Sequence, residues 1–280
     1  MQTIDVITAV VNDPFVFGQI GAANSLSDAY AMGAAPLTAL AFCGFPTCDY
    51  STDVLKQVLS GALERINAAR AVLIGGHTLD DQEFKFGLSV TATVDVNNIL
   101  RCAGAQPKDL IILTKPLGSG ILSTALKGRK LNDEQLSDAV KWMAQLNDKA
   151  GALAVKAGAS ACTDVTGFGF LGHALNMLKG ASVDFVIQMR SIPVMPYVFD
   201  MIDYGMCPAG AYRNLSYASK NTDFSNAITD EMKLVLSDPQ TSGGLLITIK
   251  EESLRVFESS DVFYRVVGEA VTGSGRIKVV

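Results

Sequence analysis

Residues 3–11 (TIDVITAVV) are β-branched and apolar, and they predict a buried strand with Asp5 embedded in it. Asn12-Asp13-Pro14 reads as a turn. Residues 16–32 are alanine-rich and predict a helix that stops at Gly33, a residue suited to the left-handed position after a helix. A second strand follows at 36–44 (PLTALAFCG). Thr52 and Asp53 then open a helix in which Leu55, Val58, Leu59, Ala62, Leu63 and Ile66 recur at helical spacing. Residues 71–74 predict a short buried strand running into Gly75-Gly76-His77-Thr78, and 84–95 a longer strand.

The pattern loosens over 96–109, where Gln106-Pro107-Lys108-Asp109 reads as a turn. The division into an N-terminal domain, 1–100, and a C-terminal domain, 106–280, is placed there. A second set of elements begins at 110–114. Asn132 with Gln135 three residues on resembles a capping box, and the helix it opens carries Leu136, Val140, Met143 and Leu146 on one face. Further strands are predicted near 182–188, 243–249 and 263–269. The rhythm is that of a mixed α+β protein of two domains.

Composition narrows the function. About 49% of the 280 residues are hydrophobic, enough for a sizeable core. The formal charge is −5, with 28 acids against 23 bases, and no basic cluster offers a nucleic-acid surface. An acidic protein can still bind a polyanion through metal ions. No signal peptide and no apolar run of about 20 residues is present, so a cytoplasmic protein without membrane contact is expected. Cys43, Cys48, Cys102, Cys162 and Cys207 fit neither a CxxC pair nor a disulfide framework, and they read as free thiols.

Thr163-Asp164-Val165-Thr166-Gly167-Phe168-Gly169-Phe170-Leu171-Gly172-His173 is the most informative segment. Its glycines let the backbone bend sharply and approach a ligand at the start of a helix, where free N–H groups suit a phosphate. Asp164 alone would repel a phosphate, so a bridging divalent cation is expected. The segment matches neither the P-loop nor the strict G-x-G-x-x-G pattern. Asp5 is a functional acid, a strand-end acid at the solvent edge, or one paired with a basic side chain. Asn24 and Asp28, four apart, share a helix face among small residues: a metal or polyphosphate grip, or a solvated face. Gly75, Gly76, His77 and Thr78 could meet a phosphate or form an ordinary turn. Lys115 is a surface residue or a phosphate contact, and Asp238–Gly244 a ligand-facing loop or a tight turn. His173 reads as a packing histidine. Asp5, Asp28 and Asp164 come from both domains, and a cleft lined by them would hold Mg²⁺ on a triphosphate.

The strings NDPFVFGQIGAANSLSDAYAMG (12–33), GGHT (75–78), LTKPLGSG (113–120), TDVTGFGFLGH (163–173) and DPQTSGGLL (238–246) together resemble selenophosphate synthetase, also called selenide, water dikinase. The likeness covers nearly the whole sequence. It implies the aminoimidazole ribonucleotide synthetase-like fold, in which the N-terminal domain dimerises through its sheet into a shared β-barrel. It implies conversion of ATP, selenide and water to selenophosphate, AMP and phosphate. Asp28 and Asp164 match the family's Mg²⁺ ligands, and Asp5 matches an acid at the ATP–metal site. Gly76, His77 and Thr78 match a nucleotide-binding loop that a homodimer can contribute across its interface.

The resemblance also implies a preceding segment with a Gly-rich loop carrying a reactive Cys or selenocysteine, a catalytic Lys and a further acid. Nothing in these 280 residues matches it, so a nucleophilic role is assigned to none of the cysteines. The expectation for this sequence is nucleotide and metal binding with little synthesis. Two other readings remain: another ATP-dependent enzyme of the superfamily, of the thiamine-phosphate kinase or purine-synthesis ligase type, and a non-catalytic nucleotide-binding dimer.

Overall fold

The computed structural model describes residues 1–280. The first third of the chain forms β1 (Gln2–Thr8), α1 (Pro14–Ala31), β2 (Ala35–Phe45), α2 (Thr52–Ala68), β3 (Val72–Asp80) and β4 (Lys85–Thr93). Its four strands pair in the order β1-β4-β2-β3, antiparallel except for β2 and β3. The remainder forms β5 (Leu110–Leu113), α3 (Ser119–Lys127), α4 (Ser137–Ala144), α5 (Asp148–Lys156), β6 (Ala161–Asp164), α6 (Gly169–Met177) and β7 (Val183–Ile187). After these come α7 (Val198–Asp203), α8 (Ala209–Ala218), β8 (Thr222–Phe224), α9 (Asp230–Ser237), β9 (Leu245–Ile249), α10 (Arg255–Glu258), β10 (Arg265–Thr272) and β11 (Ile277–Val279). Its seven strands are ordered β6-β9-β5-β10-β7-β11-β8. The mixed α+β class read from the sequence is the one observed.

Several local expectations change. Asp13 is not part of a free turn: its carboxylate accepts the N–H groups of Phe15 and Val16, capping α1, and Pro14 occupies the first helical position. β1 ends at Thr8 and is an edge strand rather than a buried one. Its residues alternate, with Thr3, Asp5 and Ile7 towards the helices and Ile4 and Val6 exposed. Gly75–Thr78 is not a turn after a strand but the middle of β3, at the opposite edge. Asn132 and Gln135 do exchange reciprocal side chain–backbone bonds, of 2.9 and 3.1 Å, in the turn that leads into α4.

α1 is the axis of the molecule. Thirteen of its residues, from Phe17 to Ala31, are buried, which accounts for its composition of small and apolar residues on every side. One side joins Val58, Ala62 and Ile66 of α2 and Phe86, Leu88 and Val90 of β4 in a shared core. Other sides meet α4, α5 and β6. The two helices α1 and α2 touch backbone to backbone: a Cβ at Gly18 would strike the Val58 carbonyl, and one at Gly61 the Phe15 carbonyl. Replacing Gly61 with Ala forces α2 away from α1. We expect a loss of about 1–3 kcal/mol, read as a lowered urea midpoint with an unchanged m value.

Candidate functional site

β6 delivers Asp164 at its last residue, paired with Leu245 at the start of β9. Val165 N–H then bonds the Gly244 carbonyl at 2.9 Å, and the Thr166 carbonyl accepts Gln240 N–H at 3.0 Å. The segment after Asp164 is therefore laced to the loop 238–244. Gly169, at φ +69°, opens α6 with its Cα against Ser237, where a Cβ would meet the carbonyl at 2.7 Å. His173 fastens the same turn. Its Nε2 accepts Thr166 N–H at 3.1 Å, so the neutral ring carries its proton on Nδ1. Burial pushes this histidine down to about 4, against a smaller opposing pull from Asp28. It is a packing residue, as read from the sequence, with the added task of shaping the turn.

α1 brings Asp28 to the same place. Thr3 donates to its Oδ2 from β1. Asp5, also on β1, lies beside Asp28; burial, then the Asp28 charge and a hydrogen bond with it, push the Asp5 carboxyl up to about 6. Asp164 is 5% exposed, and its Oδ2 has no hydrogen-bond partner. Its carboxyl is raised by burial first, then by Asp28 and Asp5, with a hydrogen bond from Ser27 opposing. The three acids named from the sequence thus converge electrostatically. Asp28, Asp164 and Thr3 line one cavity of about 480 Å³, together with Arg101 and Cys102.

The arrangement suits a cation that arrives with its own ligands. No set of three or more acidic, cysteine or histidine side chains is placed to enclose an ion unaided. Mg²⁺ does not need one: it usually takes one or two carboxylates and completes its shell with phosphates and water. The orphaned Asp164 oxygen and the mutual repulsion of the carboxylates fit such an ion.

Other residues singled out in the sequence lie elsewhere. Asn24 does not grip a ligand; its Oδ1 accepts Ser242 N–H at 2.8 Å. Lys115 is neither a surface residue nor a phosphate contact. It is 1% exposed, and its ammonium donates to the carbonyls of Gln145 at 2.6 Å and Ser242 at 2.9 Å. Burial brings it down to about 7. Gly76 is in register with Asp5 through Leu88 and Ala41, three strand spacings away, or roughly 14 Å. Gly76, His77 and Thr78 are therefore not brought to the acidic corner of their own chain. Asn147 joins the set unannounced by any motif: its Nδ2 donates to Ser27 Oγ at 2.9 Å and to the Gly243 carbonyl at 2.8 Å.

Two family models place this architecture. One, described as AIR synthase related protein, N-terminal domain, matches residues 1–96, and its C-terminal counterpart matches 106–280, so the chain is an AIR synthase related protein. The fold is shared with thiamine-monophosphate kinase from Stenotrophomonas maltophilia, with a TM-score of 0.76 at 18% identity over 100% of this chain and 84% of that one. Two enzymes named selenide, water dikinase are much nearer in sequence. That of Citrifermentans bemidjiense is 46% identical over 98% of this chain and 80% of its own length. That of Geobacter sp. strain M21 is 45% identical over the same shares. The chain belongs to the selenide, water dikinase family.

The histidine gives a pH signature with a definite sign. A His173 near 4 in the fold and near 6.5 when unfolded takes up its proton more readily in the unfolded chain. Stability contributed by the neutral ring is present above pH 6.5 and is lost as pH falls towards 4. We expect His173→Gln to remove up to about 3 kcal/mol of that acid-side loss. Urea unfolding of both proteins across this range measures the difference.

Proposed function

We propose that this chain binds ATP and Mg²⁺ at the Asp5–Asp28–Asp164 corner and serves the reaction of ATP, selenide and water to selenophosphate, AMP and phosphate. The observation that carries the reading is the meeting of Asp28 and Asp164 in one cavity, in a chain 46% identical to a selenide, water dikinase. Asp28 and Asp164 would hold the metal, which when bound neutralises the triphosphate. Asp5 stands behind Asp28 and adds negative charge to the corner. We assign these residues substrate binding and orientation. A nucleophilic role goes to none of the cysteines. Cys102, which lines the cavity, has its thiol raised by burial, so it is a poor source of thiolate.

The open face of the four-stranded sheet supports a homodimer. Ile4, Leu40, Val72 and Ile74 are between 44% and 64% exposed on three of its strands, an apolar patch that a second copy would cover. Such a partner gives the β3 residues Gly76, His77 and Thr78 a route to the other chain's nucleotide, which their own acidic corner does not offer. The division at 1–100 and 106–280 would then separate a dimerising domain from the one that supplies Asp164.

Calorimetry with a non-hydrolysable ATP analogue tests the site. Binding that requires Mg²⁺ is expected for the native chain, with roughly tenfold or greater weakening in Asp28→Asn and in Asp164→Asn. Metal-independent binding, unchanged in both variants, would refute the assignment. For the dimer, Ile74→Glu places a charge in the apolar patch. Sedimentation should show the native chain as a dimer and this variant shifted to monomer; a native monomer rules the interface out.

A further inference from the structure

The cavity of Asp28 and Asp164 contains a cation that no motif of the sequence announces. Arg101 lies on the segment between the two sheets and lines that cavity with Thr3, Cys102 and both acids. It is exposed, and the arginines with an acidic partner are Arg65 and Arg276, so its guanidinium is uncommitted. Its backbone is fixed, because the Arg101 carbonyl accepts Cys162 N–H at 2.8 Å, two residues before Asp164 on β6. The buried Asp164 Oδ2 is uncommitted as well. Acids without a cation and a guanidinium without an anion thus share one cavity without pairing to each other. A ligand that carries both charges resolves this, and a metal-bound polyphosphate is such a ligand.

We propose that Arg101 binds the phosphate chain of the nucleotide, contacting oxygens that the metal leaves uncovered. The inference rests on the nucleotide site proposed above. The guanidinium is a planar fork of donors that matches two phosphate oxygens at once, and it stays charged at every working pH. Because Arg101 belongs to the connecting segment, its contact would tie that segment to the bound substrate, alongside Asp28 from α1 and Asp164 from β6.

Titration calorimetry of the full chain with Mg²⁺ and either β,γ-methylene ATP or AMP tests this. Arg101→Met should weaken the triphosphate analogue about tenfold, or about 1.4 kcal/mol, and leave AMP binding unchanged. Arg101→Lys should fall between, since it keeps the charge and loses the fork. An unchanged melting temperature is expected for both, as the side chain is exposed. Native affinity of Arg101→Met for the analogue, with binding lost in Asp164→Asn, overturns the role of Arg101 and leaves the acidic site standing. Equal weakening of AMP and the analogue also overturns it. If the native chain binds neither, the nucleotide site and the Arg101 contact fall together.

Discussion

The burial of α1 between two sheets is the constraint on which the rest of the molecule depends. A helix surrounded by protein cannot leave its polar side chains to water, so each needs a partner from a particular neighbour. Ser25 accepts Leu88 N–H at 3.0 Å and donates to the Asp5 carbonyl at 2.9 Å, joining α1 to β4 and β1. Asn24 takes Ser242 N–H, and Ser27 takes the amide of Asn147. These bonds are directional and fix the rotation of α1 about its own axis. Asp28 has no freedom to choose where it points: its place follows from Asn24, Ser25 and Ser27 in the turn that leads up to it.

The same bonds set the distance between the acids. Loop 238–244 sits between the helix that carries Asp28 and the strand that carries Asp164. It is held by Asn24, Asn147 and Lys115 on one side and by the backbone of Val165 and Thr166 on the other. Lys115 is the costly member, since a fully buried ammonium gives up its hydration for two carbonyls. Two like charges can then be held near one another without collapsing or drifting apart, because neither side chain sets the spacing.

The sequence made the elements legible wherever a local rule governs them. Glycine after α1, the reciprocal Asn132–Gln135 turn and the helical period of α2 all act within a few residues. The three acids are legible because Asp5 is a carboxylate embedded in an apolar strand, because Asp28 and Asp164 stand near small residues towards element ends, and because the surrounding strings resemble one family. What escaped depends on long-range placement. Alternation in β1 does not say that the strand is an edge. Lys115 looks like any lysine after a strand, and its burial follows from carbonyls at 145 and 242. Arg101 and Asn147 lie in no motif, and only the fold brings them to the site. Gly76, His77 and Thr78 were recognisable by resemblance, yet the register of the sheet sets them three strands from Asp5.

The bond between Asn24 and Ser242 spans 218 residues of chain. A ribosome adding about 5–20 residues per second needs roughly 10–45 s to travel that far. During that interval α1 has emerged, but the loop that takes up Asn24 does not yet exist. A growing chain therefore cannot set the spacing of Asp28 and Asp164 early and use the finished corner as a template for folding. The acidic corner takes its final geometry only in chains whose synthesis is almost finished, long after α2, β4, α4, α5 and β6 have become available to cover α1.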